Sequence, residues 1–144
     1  MAKLKSLPKL KKDVWYEFSR FIRLRDAIRT TGNCNSAVCI TCGKLELITN
    51  MDCGHCFSRQ YTNTLFHEKN NHAQCKGCNG FRSGEQYLYC IEIDKLYGDG
   101  TAEMLNSMRH ETRRFSRQEL IEMKEYYKTE TDKLIDEYGT PWRK

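Results

Sequence analysis

Residues 39–84 read CITCGKLELITNMDCGHCFSRQYTNTLFHEKNNHAQCKGCNGFRSG, and three Cys-x2-Cys pairs inside them compete to organise the fold: Cys39/Cys42, Cys53/Cys56 and Cys75/Cys78. A tetrahedral structural zinc takes four donors, hence two such pairs. Cys39-Ile-Thr-Cys42-Gly43-Lys44 has the form of a zinc knuckle, in which the glycine after the second ligand lets backbone N–H groups turn towards the thiolate. Cys75-Lys-Gly-Cys78 carries its glycine inside the pair and precedes a plausible helix start. Cys53-Gly-His-Cys56 differs. If 51–57 is a strand, its two sulfurs point to opposite faces and cannot chelate one ion. The spacing therefore assigns zinc to Cys39, Cys42, Cys75 and Cys78, and four thiolates with no open position make a structural site. A ribbon in which Cys53 and Cys56 join Cys39 and Cys42 is the competing arrangement.

Outward from this stretch, the composition explains why a staple is needed. The chain has 144 residues, of which 39% are hydrophobic and 30% charged, so its core is modest. Eight cysteines could form disulfides or hold metal. The N-terminal MAKLKSLPKLKK has no apolar segment of the secretory type, and no apolar run is long enough to span a membrane. Both readings point to a cytoplasmic chain with no membrane partner (host cytoplasm, if phage-encoded), where paired cysteines bind zinc more often than they oxidise. Charge is uneven. Residues 1–29 hold nine Lys/Arg against three acids, whereas residues 85–144 hold ten against thirteen. The basic head and middle suit phosphates, although a solvated surface explains the charge equally well.

Residues 1–12 read as a flexible basic arm of five lysines around Pro8. Asp13 is a candidate N-cap for a helix to about Thr30, with Trp15, Phe18, Phe21 and Ile22 as its buried face and Arg20, Arg23, Arg25 and Arg29 elsewhere around it. Leu45–Asn50 and Met51–Tyr61 read as two short strands of a hairpin. Glu85–Tyr97 is expected to be a helix closed by Gly98, and Thr101–Met108 a short one. Ser116-Arg-Gln-Glu119 is a capping box opening a long helix that stops at Gly139. Its apolar residues Leu120, Met123, Tyr127, Leu134 and Tyr138 recur at three- and four-residue steps. That stripe packs either on the Trp15–Ile22 helix or on a second copy in a homodimer.

Between the zinc pairs lie Asp52-Cys-Gly-His55 and Asn70, with Asn79 directly after the last cysteine. Phosphodiester hydrolysis needs a base to deprotonate water and a cation to stabilise charge on the phosphorane and leaving oxygen. A histidine on a strand, an asparagine in a loop and a polar residue on the following helix supply that set in the order seen in HNH nucleases. The strings Asp52-Cys-Gly-His-Cys-Phe-Ser-Arg59 and Asn70-Asn-His-Ala-Gln-Cys-Lys-Gly-Cys-Asn-Gly-Phe-Arg-Ser-Gly84 resemble the two motifs of the phage NinG/Rap recombination endonuclease family. Arg23-Leu-Arg-Asp26, Leu96-Tyr-Gly98 and the helix from Ser116 are similar to it in character, so the likeness spans about residues 20–138.

The resemblance implies an α+β, mostly helical chain: a zinc-stapled ββα-metal core (HNH or treble-clef-like) with flanking N- and C-terminal helices. The expected divisions are the arm at 1–12, the nuclease core with its N-terminal helix at 13–98, and a helical extension at 99–144. It also implies a DNA endonuclease using Mg²⁺ or Mn²⁺ and acting on branched recombination intermediates such as Holliday junctions. His55 would be the general base. Asn79 would be a ligand of the catalytic ion, and Asn70 would fix the loop that orients His55. Arg59, Lys76 and Arg82 would contact phosphates. Many HNH enzymes carry a metal-binding Asp immediately before the histidine, where this chain has Gly54; Asp52, on the same strand face as Gly54, is the candidate substitute. His72 lies close enough to Cys75 to support the zinc site, and Cys53 and Cys56 read as buried free thiols. A generic nicking endonuclease and a zinc module that only binds nucleic acid are the competing functions; the second has no use for His55 and Asn79 together.

Overall fold

The computed structural model describes residues 3–142. It is α+β and mostly helical, as the sequence implied, with two small antiparallel sheets. Helix α1 spans Leu7–Thr31; β1 (Ser36–Val38) pairs with β2 (Leu45–Leu47), and β3 (Met51–His55) with β4 (Asn71–Cys75). A single wide π-type turn, Gly77–Phe81, follows β4, and then come α2 (Gln86–Tyr97), α3 (Thr101–Met108) and α4 (Arg117–Tyr138). Among the described residues no helix is long and apolar enough to cross a membrane.

Helix α1 begins six residues before the expected cap. Ser6 is the N-cap, its Oγ accepting from Lys9 N–H, and Pro8 sits in the first turn, where its missing N–H costs nothing. Asp13 is therefore helical, and its carboxylate pairs with Lys5 (2.9 Å) and Lys9 (3.3 Å). Half of the expected arm is thus helix; residues 1–2 of it lie outside the described residues. Gly32 ends α1 in the left-handed region (φ 78°), close to the expected end at about Thr30.

The paired strands differ from the expected hairpin. β2 turns back on β1, and β3 crosses the long 56–70 loop to pair with β4, so that Asp52 faces Gln74 and His55 faces Asn71. The short helical turn Ile48–Asn50 separates β2 from β3, and no tight-turn signal joins them.

The apolar stripe of α4 folds back onto α1. Leu120 and Tyr127 are buried with Phe18 and Ile22, and the Phe18 and Tyr127 rings meet edge to face at 4.9 Å. Burying Phe18 and Ile22 stabilises the pair of helices by about 1.5–3 kcal/mol per side chain. A second core, of Leu24, Ala27, Ile48, Met51 and Ala73, surrounds the cysteine cluster, and a third holds α2 and α3 against Phe57. Asp26, fully buried on α1, accepts from Ala73 N–H (2.7 Å) and pairs with Arg25 (2.9 Å), whose guanidinium also donates to the carbonyls of Glu68 and Asn71. This network fixes β4, and through it the site, against α1.

Candidate metal centre and catalytic cleft

The ligand atoms of Cys39, Cys42, Cys75 and Cys78 all lie within 4.8 Å of one another, so the four could hold a structural metal such as zinc. Backbone and side-chain donors already face the sulfurs: Cys75 N–H meets Cys39 Sγ at 3.3 Å, Cys78 N–H meets Cys75 Sγ at 3.4 Å, and Arg82 Nη2 meets Cys78 Sγ at 3.1 Å. Burial opposes ionisation of Cys39, but the N–H groups of Cys42 and Cys75 bring it down to about 6. Burial and the neighbouring sulfurs push Cys42 the other way, to about 12. Four closely packed sulfurs, three of them met by N–H donors, suit a divalent cation with thiolate preference.

Cys53 and Cys56 stand outside this cluster and in different cores, Cys53 in β3 beside α1 and Cys56 just past it beside α2. Burial raises both thiols well above the ordinary range. Cys56 Sγ lies 3.5 Å from Cys90 Sγ on α2.

Across β3 and the π-type turn, a cleft of about 410 Å³ is lined by Trp15, Ser19, Arg23, Asp52, Arg59 and Asn79, among others. Asp52 accepts from Lys76 Nζ (2.8 Å) and from Asn79 Nδ2 (3.0 Å). Burial raises the Asp52 carboxyl, but Lys76 and Asn79 outweigh it and hold the group below its usual value. Gly54 cannot carry the acid that HNH enzymes place there. A Cβ at Gly54 would lie 2.0 Å from Oε1 of Gln74, a fully buried side chain whose Nε2 donates to Thr41 Oγ1 and to the Gly84 carbonyl. The carboxylate on that face is Asp52.

His55, at the end of β3, does not line the cleft; its ring stacks on Trp15, which does, with centroids 4.9 Å apart and planes 17° from parallel. Its Nε2 lies 3.2 Å from the Leu65 carbonyl, an obligate acceptor, so Nε2 carries the proton and Nδ1 keeps a lone pair. Burial, with Arg59 second, lowers its pKa to about 4.

Asn70 is fully buried and staples the 56–70 loop: its Oδ1 accepts from Phe57 N–H (2.8 Å), while its Nδ2 donates to the carbonyls of Phe57 and Thr64. The residue that shares the Leu65 carbonyl with His55 is its neighbour Asn71, at 3.2 Å. Asn71 is one of the residues that sequence reasoning missed, and its only signal was adjacency to Asn70. Trp15 and Arg23 were missed too, one read as core and the other as a helix flank.

His72 turns away from the cysteines. Tyr89 donates its hydroxyl to the Gly54 carbonyl (2.7 Å), so its oxygen accepts from His72 Nδ1–H, and His72 Nε2 accepts from Tyr97. Burial lowers His72 to about 3, and this neutral chain props β3 from behind. His67 caps the turn at Glu68–Asn70. Of the expected phosphate contacts, Arg59 is exposed and lies over the Trp15 ring at 5.3 Å, Lys76 pairs with Asp52, and Arg82 turns to Cys78 and Glu85.

A strand-borne histidine and acid lie near a four-cysteine cluster that could hold a metal ion, beside a polar cleft lined by two arginines. The family model of the Bacteriophage Lambda NinG protein matches residues 1–137, and the chain belongs to that family. Membership ties it to a phage recombination-related function. No curated protein and no solved structure matches it.

Proposed function

We propose that the chain is an HNH-type DNA endonuclease, its ββα-metal core stapled by zinc on Cys39, Cys42, Cys75 and Cys78, acting on branched DNA such as Holliday junctions. The observation that carries the reading is His55: a neutral imidazole with Nε2–H spent on the Leu65 carbonyl and the Nδ1 lone pair left free, beside a cleft holding Asp52 and Asn79. Asn70 and Asn71 keep that carbonyl and its loop in place. His55 Nδ1 takes a proton from water, whose oxygen attacks phosphorus as the bridging oxygen leaves.

Asp52 and the Asn79 amide oxygen are hard donors that fit Mg²⁺ or Mn²⁺, which takes few protein ligands and keeps its waters for substrate phosphate. When bound there, the ion supplies Lewis-acid stabilisation of the leaving oxygen. Lys76 now neutralises Asp52 and Asn79 Nδ2 donates to it, and both exchange partners as substrate enters. Arg59, which rests on the Trp15 ring, leaves the indole for a backbone phosphate and opens the His55 side of the cleft. Arg82 serves the cysteine cluster more than the DNA.

The test is cleavage of a labelled four-way junction in Mg²⁺. His55→Ala should cut about 10²–10⁴-fold more slowly, the usual contribution of a general base, while binding the junction as the parent does. Parental cleavage by His55→Ala would place the base elsewhere.

A further inference from the structure

Arg23 is the unusual arginine of α1. Arg20 pairs with Glu17, and Arg25 and Arg29 pair with Asp26, but none of the ion pairs among the described residues involves Arg23. Its Nε donates to the Ser19 carbonyl (3.1 Å) and its guanidinium carbon lies 5.5 Å from the centre of the Trp142 ring, which fixes the head group on two sides. The terminal nitrogens make no hydrogen bond to the described residues. They belong to a residue that lines the same cleft as Asp52 and Asn79, yet both Asp52 oxygens are engaged by Lys76 and Asn79. A half-buried guanidinium held in place without a counter-ion bears a desolvation cost that an incoming anion removes. Its planar fork matches two oxygens of a phosphate.

We infer that Arg23 is a substrate-binding residue that grips the non-bridging oxygens of the phosphodiester lying between it and Asp52, an inference that rests on the nuclease reading. The cleft then has two walls of different origin. The zinc-framed strand and turn bring the acid and the amide; α1, outside that motif, brings the fixed cation. Arg59, exposed and lying over an indole face, is less firmly held for gripping the same anion.

Two measurements test this. In a His55→Ala background, which needs no cleavage, Arg23→Gln should flatten the slope of log K against log salt for duplex DNA by about 0.9, one lost phosphate contact. With His55 intact, single-turnover cleavage by Arg23→Gln should fall about 10²–10³-fold, the effect of removing one donor to developing charge. Arg23→Lys should restore the slope and only part of the rate. An unchanged slope overturns the contact whether or not the parent cuts DNA. A parent that cuts nothing sinks the nuclease reading, and the slope then decides Arg23 by itself. If Arg23→Gln fails to fold, Arg23→Lys carries the test, and cleavage by it at the parental rate overturns the inference.

Discussion

Replacing Asp26 by alanine should be among the most damaging single changes in the chain. The carboxylate is 1% exposed, pairs with Arg25 at 2.9 Å and with Arg29 at 3.3 Å, and accepts from Ala73 N–H at 2.7 Å. Its removal orphans a buried backbone donor on β4 and strips Arg25 of its counter-ion. Breaking a buried pair from one side typically costs about 3–5 kcal/mol. At roughly 3 °C per kcal/mol for a chain near this size, Tm should fall by about 10–15 °C, read by circular dichroism with urea titration as a second measure. Burial pushes the Asp26 carboxyl up, but Arg25 and Arg29 reverse this and leave it below its ordinary value. A depressed carboxyl stabilises the fold above its unfolded pKa, so the difference between parent and Asp26→Ala should persist at neutral pH and shrink as pH falls below about 4. An Asp26→Ala protein that melts within about 2 °C of the parent would refute the claim that this network anchors β4 to α1.

Three further outcomes follow from the same geometry. The purified protein should carry one zinc per chain by elemental analysis, and Cys75→Ser should lose the metal together with the central fold, because ligand binding and folding are one equilibrium in so small a core; metal-free, well-folded protein would contradict this. His55 and His72 are held neutral with pKa values of about 4 and about 3, so stability should be complete above the unfolded value near 6.5 and decline as pH falls towards 4. Histidine NMR signals titrating near 6.5 at both positions would show instead that neither ring is buried. Gly54→Ala should lower stability by about 1–3 kcal/mol by displacing Gln74, and a parental melt would mean that Gln74 moves aside freely.

Local rules made much of this molecule legible in its sequence. Gly98, Ser116 and Gly139 mark helix ends by backbone chemistry that acts within one turn, and the structure places the end of α2 and both ends of α4 within a residue of those marks. The grouping of Cys39, Cys42, Cys75 and Cys78 was legible because a three-residue offset along extended backbone sends the Cys53 and Cys56 side chains to opposite faces. The start of α1 was missed because Asp13 and Ser6 are both acceptable caps; what selects Ser6 is the burial of Leu10 against α4, a contact distant in sequence. Strand partners were missed for a similar reason. Alternation tells which face a residue takes, but the choice of β4 over β2 as the partner of β3 depends on closing a loop stapled by Asn70 and Asn71. Trp15, at helical spacing with Phe18 and Ile22, carried no mark that it would stack on His55.

The most direct test of the nuclease reading is incubation of the zinc-loaded protein with labelled linear, nicked, flapped and four-way DNAs in Mg²⁺ or Mn²⁺. Metal-dependent phosphodiester cleavage is expected, favouring the branched substrates and lost in His55→Ala and Asp52→Ala. Binding to these DNAs with no cleavage of any of them, in either metal, would contradict that reading.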